Sequence, residues 1–400
     1  MMKIGILKNS IQEYAWGSHT AIADLAGRAL PSKKPQAELW MGAHPKAPSL
    51  VKYGDRWISL LELIKKNPVE MLGKIVSEKF NNQLPYLFKV LAVARPLSIQ
   101  AHPDLEQARR GFAREDYKKI PIDAFNRNYR DANHKPECIC AMTRFWGLNG
   151  FRRVPEIISR MRKVCGPELS KEIDSLESMP DPKGLQLFFK NFMSLGANQK
   201  KIVINKSIQK AAKLSGDDPI FEWMVRLHDE YPGDAGVFAP VILNLICLEP
   251  GQAIFIRAGE LHAYLKGMGM EIMANSDNVV RGGLTKKYLD VSELVNILSF
   301  VEKKPEILVP LAQNSLESVF PCPAKEFILS IIRLDGLNIY QSPDDRSLEI
   351  ILCTKGKGHI LDLENHALEL KKGTAVMIPS AVPEYTIKGK LILYKAAVSV

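Results

Sequence analysis

Gln100 and His102 stand two residues apart, Glu137 follows in Lys135-Pro136-Glu137, and His262 comes 125 residues later. On a strand, residues i and i+2 point to the same face. Gln100 and His102 therefore look into one interior if the run from Pro85 to Ala101 is extended. The stretch from Ile254 to His262 reads as strand, turn, strand, with Gly259 in the turn. Two imidazoles, a carboxylate and an amide oxygen can close around one divalent metal. That mixed set suits zinc best, with iron or manganese next. Each residue also has a plainer reading. His102 before Pro103 fits a polar turn, His262 fits a satisfied core histidine, and Glu137 fits an ion-pair partner of Lys135. What raises the set above these is its joint occurrence, which demands a fold that closes across a long interruption.

The interruption has its own texture. Pro155 to Cys165, Leu185 to Leu195, Gln199 to Leu214 and Pro219 to Tyr231 carry helical spacing, separated by Gly, Asn and Asp-Pro punctuation. The rest reads mostly as strands. Pro85 to Ala94 is a buried-strand run, followed by an extended Leu97 to His102. Further strands are expected at Val241–Leu248, Ala253–Ile256 and Met270–Ala274, and in the tail at Phe327–Ile332, Leu348–Leu352, Gly358–Leu363, Ala375–Ile378 and Lys390–Tyr394. Short helices are expected after a capping box at Ser59-Leu60-Leu61-Glu62, over Pro68 to Phe80, after Pro103-Asp104 to about Lys118, and over Ser292 to Ser299. Leu248 to Ile256 resembles Leu370 to Ile378 at an offset of 122, a register that puts Glu384 where His262 stands. The tail then reads as a second jelly roll without the metal histidine.

The expected fold class is mainly β with an α-helical insertion: two jelly rolls plus a helical domain. Residues 1–150 and 236–325 form the discontinuous site domain, 151–235 the helical insertion, and 326–400 the C-terminal jelly roll.

With 400 residues, 46% of them hydrophobic, the chain can bury two or three full cores. No apolar run is long enough for a membrane span, and the start has too short an apolar core for a signal peptide. Six cysteines without a C-x-x-C pair read as reduced thiols in a cytoplasm. The net charge of +10 favours an anionic ligand such as a sugar phosphate. It comes without a Lys/Arg stripe interleaved with aromatics, so nucleic acid is not expected. Neither is a membrane partner, and the protein is expected to act as a monomer.

Several long strings resemble the type I mannose-6-phosphate isomerases. They are Leu97-Ser-Ile-Gln-Ala-His-Pro-Asp104, Asn133-His-Lys-Pro-Glu137, Gly259-Glu-Leu-His-Ala-Tyr-Leu265, Glu271-Ile-Met-Ala-Asn-Ser-Asp-Asn278 and Arg281-Gly-Gly-Leu-Thr-Lys-Lys-Tyr288. Tyr14-Ala-Trp-Gly17 and Ala37-Glu-Leu-Trp40 belong to the same likeness. It runs through most of the first 300 residues, whereas the last 80 or so match only in texture. Arg257 stands where this family often has proline. The resemblance implies a zinc-dependent cupin with Gln100, His102, Glu137 and His262 as ligands of one zinc ion. It also implies interconversion of mannose 6-phosphate and fructose 6-phosphate through an enediol.

That chemistry needs a proton carrier and positive charge beside the reacting oxygens. His134, Lys135 and Asp277 are candidates for the first, and Arg281 for the second. Strand alternation puts Lys135 on the face of Glu137 and turns His134 away, unless Pro136 bends the chain. The phosphate would meet Arg281, Lys286 and Ser98, with glycines allowing close backbone approach; a solvated turn is the plainer reading of both cations. Glu271 and Tyr264 are expected to line the cavity, and Trp16 to stack on the sugar, though a packing role suits both aromatics. Two rival readings are an iron oxygenase built on His102, Glu137 and His262, and a non-catalytic sugar-binding protein. Gln100 as fourth ligand speaks against the first, and the set Lys135, Asp277 and Arg281 against the second.

Overall fold

The computed structural model describes residues 2–53, 55–364 and 366–400. It is mainly β, with two large antiparallel sheets and a group of helices. One sheet, called here the site sheet, has ten strands. Its central strand is His262–Ala274, flanked by Tyr86–Val93 and Ile99–Ala101 on one side and by Glu137–Ala141 and Phe145–Phe151 along the other. The tail sheet has eleven strands, arranged around Tyr385–Ala397 and Glu349–Asp362.

Alternation along the strands separates three apolar interiors. Tyr86, Phe88, Val90, Cys138, Cys140, Met270 and Ile272 face a core that also takes Leu329, Ile331, Ile350, Leu352 and Ala396 from the tail sheet. This core joins the two sheets. The intervening residues Leu91, Val93, Ile139 and Ala141 face the interior of the site sheet. Ile332, Ile351, Cys353 and Leu393 face the interior of the tail sheet. A strand covered on both faces reads as a continuous apolar run, which is why all eight residues of Tyr86–Val93 are buried, Lys89 among them.

The helical stretch fills a fourth core. Val154–Val164, Pro182–Met193, Ala197–Leu214 and Pro219–Glu230 match the expected helices closely, and Ser170–Ser178 is a further one that the sequence reading missed. Their apolar faces pack on Ile99, Ala101, Leu261, Ala263 and Val280.

Some expectations need correction. Residues 5–8, 50–53 and 56–59 pair into the tail sheet, through Gly5 opposite Met377 and Leu7 opposite Val51. Leu311–Ala312 and Glu317–Val319 also belong there. The boundaries 1–150 and 236–325 therefore do not follow the strand pairing. Ser59 precedes a helix, Leu60–Lys66, but its side chain caps nothing, and Glu62 pairs with Lys65 instead. The span 68–80 is two helices, broken at Gly73, whose φ of +84° a helix cannot contain. Val241 and Ile242 end a short helix before the strand Leu243–Leu248. The expected tail strands at 348–352 and 358–363 are one strand, Glu349–Asp362, with a register shift near Cys353. Asp104, by contrast, forms a full capping box with Gln107 at the start of Leu105–Tyr117.

Candidate metal centre

The helical core sets the direction of the site residues. Ile99 and Ala101 are buried in it, so Gln100 between them points the other way, into the site sheet. Leu261 and Ala263 do the same for His262. Strand pairing then sets Arg281, Gln100 and His262 in a row across three neighbouring strands, with side chains on one face. Gly259, at φ +74°, makes the turn that returns the chain to His262, and a Cβ there would lie 3.0 Å from the Ile297 carbonyl oxygen.

His102, Glu137 and His262 converge, with one potential ligand atom of each within 4.8 Å of the others. His102 Nε2 lies 3.3 Å from Glu137 Oε1, and His262 Nε2 lies 3.4 Å from Glu137 Oε2. These approaches are not hydrogen bonds, since neither Nε2 has a partner in the protein. The ring orientation explains why. His102 Nδ1 is 2.7 Å from the Asn278 carbonyl oxygen, and His262 Nδ1 is 3.0 Å from that of Glu260. A carbonyl only accepts, so each Nδ1 carries the proton and each Nε2 presents a lone pair. Burial, aided by Lys135, lowers the His102 pKa to about 4, so the ring is neutral. Burial alone would raise the Glu137 carboxyl, but Lys135 beside it holds it well below the usual range.

Two buried lone pairs and a carboxylate without a shared proton are costly to leave as they are. A tetrahedral zinc with bonds of about 2.0–2.1 Å needs its donors about 3.3 Å apart, and the two nitrogen–carboxylate separations meet that. The residues fit zinc. Carbonyl partners on both Nδ1 atoms are the usual outer support of zinc histidines.

The site opens into a cavity of about 510 Å³. Gln100, Glu137, Lys135, Ser98, Trp16, Tyr264, Glu271, Asp277, Arg281 and Lys286, all singled out in the sequence, line it. His134 does not. It faces outward, with Nε2 2.8 Å from Glu326 Oε1. Asp277 lines the wall but is engaged, 2.7 Å from Lys46 Nζ and 3.6 Å from His44 Nε2. These two hold its carboxyl well below the usual range against the effect of burial. Lys135 Nζ is 2.8 Å from Glu137 Oε1.

The sequence reading passed over four contributors. Lys89 is buried between Glu38 (3.4 Å) and Glu271 (3.2 Å), whose charges outweigh burial and keep it protonated. A lysine inside a wholly apolar strand run was the signal that could have found it. Burial pushes the Glu271 carboxyl up, with Lys89 opposing and Glu137 reinforcing. Arg130 and Lys287 stand close to Arg281: burial and then Arg130 lower the Arg281 pKa, and burial, Arg281 and Arg130 lower that of Lys287. Asn278 ties the loop at 130–133 to His102: its Nδ2 donates to the Asp131 and Asn133 carbonyls, each at 2.8 Å, and its own carbonyl takes the His102 proton.

Among the described residues, Arg130, Arg281, Lys286 and Lys287 have no ion-pair partner. The cavity wall carries seven basic side chains against four acidic ones. Such a surplus suits a dianionic ligand.

Known proteins resemble this chain in sequence and fold. Residues 4–154 match the family model for the catalytic domain of type I phosphomannose isomerase. The mannose-6-phosphate isomerase of Salmonella typhimurium is 40% identical, over 93% of this chain and 94% of its own. That of Homo sapiens is 38% identical, over 88% and 87%. A zinc-bound crystal structure of mannose 6-phosphate isomerase superposes with a TM-score of 0.91 at 36% identity, over 99% of this chain and 100% of that one. The likeness thus extends through the tail, beyond the first 300 residues where its motifs lie. The chain belongs to the type I mannose-6-phosphate isomerases.

Proposed function

We propose that this chain interconverts mannose 6-phosphate and fructose 6-phosphate through an enediol, with one zinc ion held by Gln100, His102, Glu137 and His262. The carrying observation is the pair of unpartnered Nε2 atoms facing Glu137 at the end of a cation-rich cavity. Zinc bound there supplies positive charge toward the sugar's O1 and O2, which lowers the barrier to losing the C2 proton.

In the forward reaction the C2–H proton leaves and its electron pair becomes the C1–C2 double bond, while O1 gains a proton. C1 then takes a proton onto the electron pair of the double bond, as O2 gives up its proton and becomes the carbonyl oxygen on C2. Lys135 is the candidate best placed to move the proton, since its Nζ is at the cavity wall beside Glu137. Asp277 is less suited, because its carboxylate is already occupied by Lys46. His134 has its side chain outside the cavity and is not favoured for direct transfer. Arg281 stands next to Gln100 and without an acid partner, as a stabiliser of developing oxyanion charge would. Ser98, Lys286, Lys287 and Arg130 are our candidates for the phosphate, and Trp16 for the sugar face. Tyr264 and Glu271 form the inner wall, their oxygens 3.1 Å apart.

On this reading each sheet is a cupin-type jelly roll, and the helices of 151–235 are an insertion into the first. Action as a single chain in a cytoplasm also belongs to it. Among the described residues no helix is long and apolar enough to cross a membrane. The test is a coupled assay detecting fructose 6-phosphate from mannose 6-phosphate, with chelator and with added Zn²⁺. Activity lost to chelator and restored by zinc is expected. A zinc-loaded protein inactive on mannose 6-phosphate would overturn the substrate assignment.

A further inference from the structure

The loop joining the tail-sheet strands Glu317–Val319 and Ile328–Asp335 touches the site strand on its outer face. Along residues 134–138, Lys135 and Glu137 face the cavity, while His134 and Cys138 face out. His134 meets Glu326, and Cys138 lies in the core against which Cys322 packs. The inward pair is thus backed on its outer side by one tail-sheet loop, which holds it through Glu326. A carboxylate only accepts, so His134 Nε2 donates to Glu326 Oε1. The pair is well shielded, with the side chains 27% and 13% exposed. On its other side the loop at 130–133 is held by Asn278, through the carbonyls of Asp131 and Asn133. Glu326 supplies the restraint between that anchor and the metal-facing carboxylate.

We propose that Glu326 is a positioning residue of the isomerase, acting through His134 to fix Lys135 and Glu137. The tail sheet thereby reaches the chemistry without entering the cavity. This rests on the isomerase reading for its kinetic part only, because the Glu137 geometry can be followed through zinc alone. Residues that orient a metal ligand typically contribute about 10–100-fold in metal affinity or activity.

The experiment uses the full chain with Glu326→Ala, Glu326→Gln and His134→Ala. Three quantities are read: zinc retention against a competing chelator, kcat and KM for mannose 6-phosphate at full zinc occupancy, and the unfolding midpoint. Glu326→Ala is expected to weaken zinc retention and to lower kcat, each about tenfold, with KM changed less, because of the phosphate candidates only Arg130 lies on the loop at 130–133. Glu326→Gln keeps an acceptor oxygen for Nε2, so it should recover to within about threefold of wild type. Combining Glu326→Ala with His134→Ala should do no more harm than either alone. A folded Glu326→Ala protein that holds zinc and turns over like wild type overturns the proposal, even if its midpoint has fallen. So does a Gln variant as impaired as the Ala variant. Should Glu326→Ala not fold, His134→Ala carries the same expectation and is overturned by the same result. A wild type inactive on mannose 6-phosphate would count against the substrate, and the zinc measurement would still decide the role of Glu326.

Discussion

Glu137 in the site sheet and Glu349 in the tail sheet occupy one place in two copies of a strand pattern. Glu137 pairs with Ile256, and two residues on Ile139 pairs with Glu271. Glu349 pairs with Ile378, and two residues on Ile351 pairs with Lys395. Further along, Glu271 pairs with Lys89 and Leu91 with Glu38; in the tail, Lys395 pairs with Ser330 and Ile332 with Glu317. Glu317 thus stands for Glu38, and Lys395 for Glu271. The tail has put a cation on its central strand where the site has a carboxylate. Lys395 Nζ lies 2.8 Å from Glu317 and 3.2 Å from Glu349, and Arg346 lies 3.2 Å from Glu349. Two carboxylates meet two cations, and the cluster is complete. In the site sheet Glu38, Glu137 and Glu271 meet only Lys89 and Lys135, with two neutral imidazole lone pairs beside them. One pattern is closed by protein charge, and the other is left needing a cation. That difference separates a structural interior from a reactive one.

The largest expected effect breaks the open copy. His262→Ala removes one of two lone pairs and should lose zinc and activity together. With several kcal/mol of charge stabilisation at stake, kcat/KM should fall by about 10³-fold or more. Metal analysis of the dialysed protein, read beside the coupled assay, checks this. A variant that keeps zinc while losing activity would mean that His262 is not a ligand.

The closed copy should fail differently. Lys395→Met leaves Glu317 and Glu349 buried with too little positive charge, at a cost of about 3–5 kcal/mol. The raised pKa of Lys395, which its acid neighbours impose against burial, gives the pH sense. This stabilisation is full below the unfolded lysine pKa and is lost only as pH rises through the folded value, so it is present throughout the neutral range. The variant should unfold at lower urea yet bind zinc and turn over normally while folded. Adding Glu317→Gln should recover part of the loss, because it removes the carboxylate left without a cation while Glu349 keeps Arg346. An unchanged urea midpoint for Lys395→Met would show that the tail charges are not coupled.

Much of this was legible in the sequence, and the failures have physical causes. The spacing of Gln100 and His102 and the Gly259 turn before His262 carry over directly, because strand alternation is a local rule. The helical spacing of 151–235 survives because each amphipathic face meets one core. The repeat was visible at Ala253–Ile256 and Ala375–Ile378, but counting onward from it misplaced the partner of His262. The offset is 122 at Ile256 and Ile378 but 124 at Glu271 and Lys395, so two extra residues enter the tail. Glu384 falls outside the strand and accepts from Gln341 at the surface. The entry of residues 5–8 into the tail sheet was not legible, because pairing across more than 360 residues leaves no local mark. Nor was the engagement of Asp277 by Lys46, or of His134 by Glu326, since both join residues far apart in the chain.

The finest distinction between the copies lies in two tyrosines. Tyr264 donates to Glu271 Oε1 at 3.1 Å and lies 3.4 Å from Glu137 Oε2; Tyr385 donates to Glu349 Oε2 at 2.9 Å. Both hydroxyls are buried and serve a carboxylate, and burial followed by those carboxylates raises each phenol well above its ordinary pKa. Replacing either by phenylalanine removes a hydrogen bond to a charged group, which costs about 1.5–3 kcal/mol. On stability alone the two variants should be alike. They should part on activity, because Tyr264 touches Glu137 and lines the cavity, whereas Tyr385 serves a carboxylate already paired with Arg346 and Lys395. Tyr264→Phe is expected to lower kcat/KM, and Tyr385→Phe to leave it unchanged, when both are assayed at full zinc occupancy well below their unfolding midpoints. Equal losses of activity would mean that the tail interior is coupled to the reaction through its core, and the division into a closed and an open copy would fail.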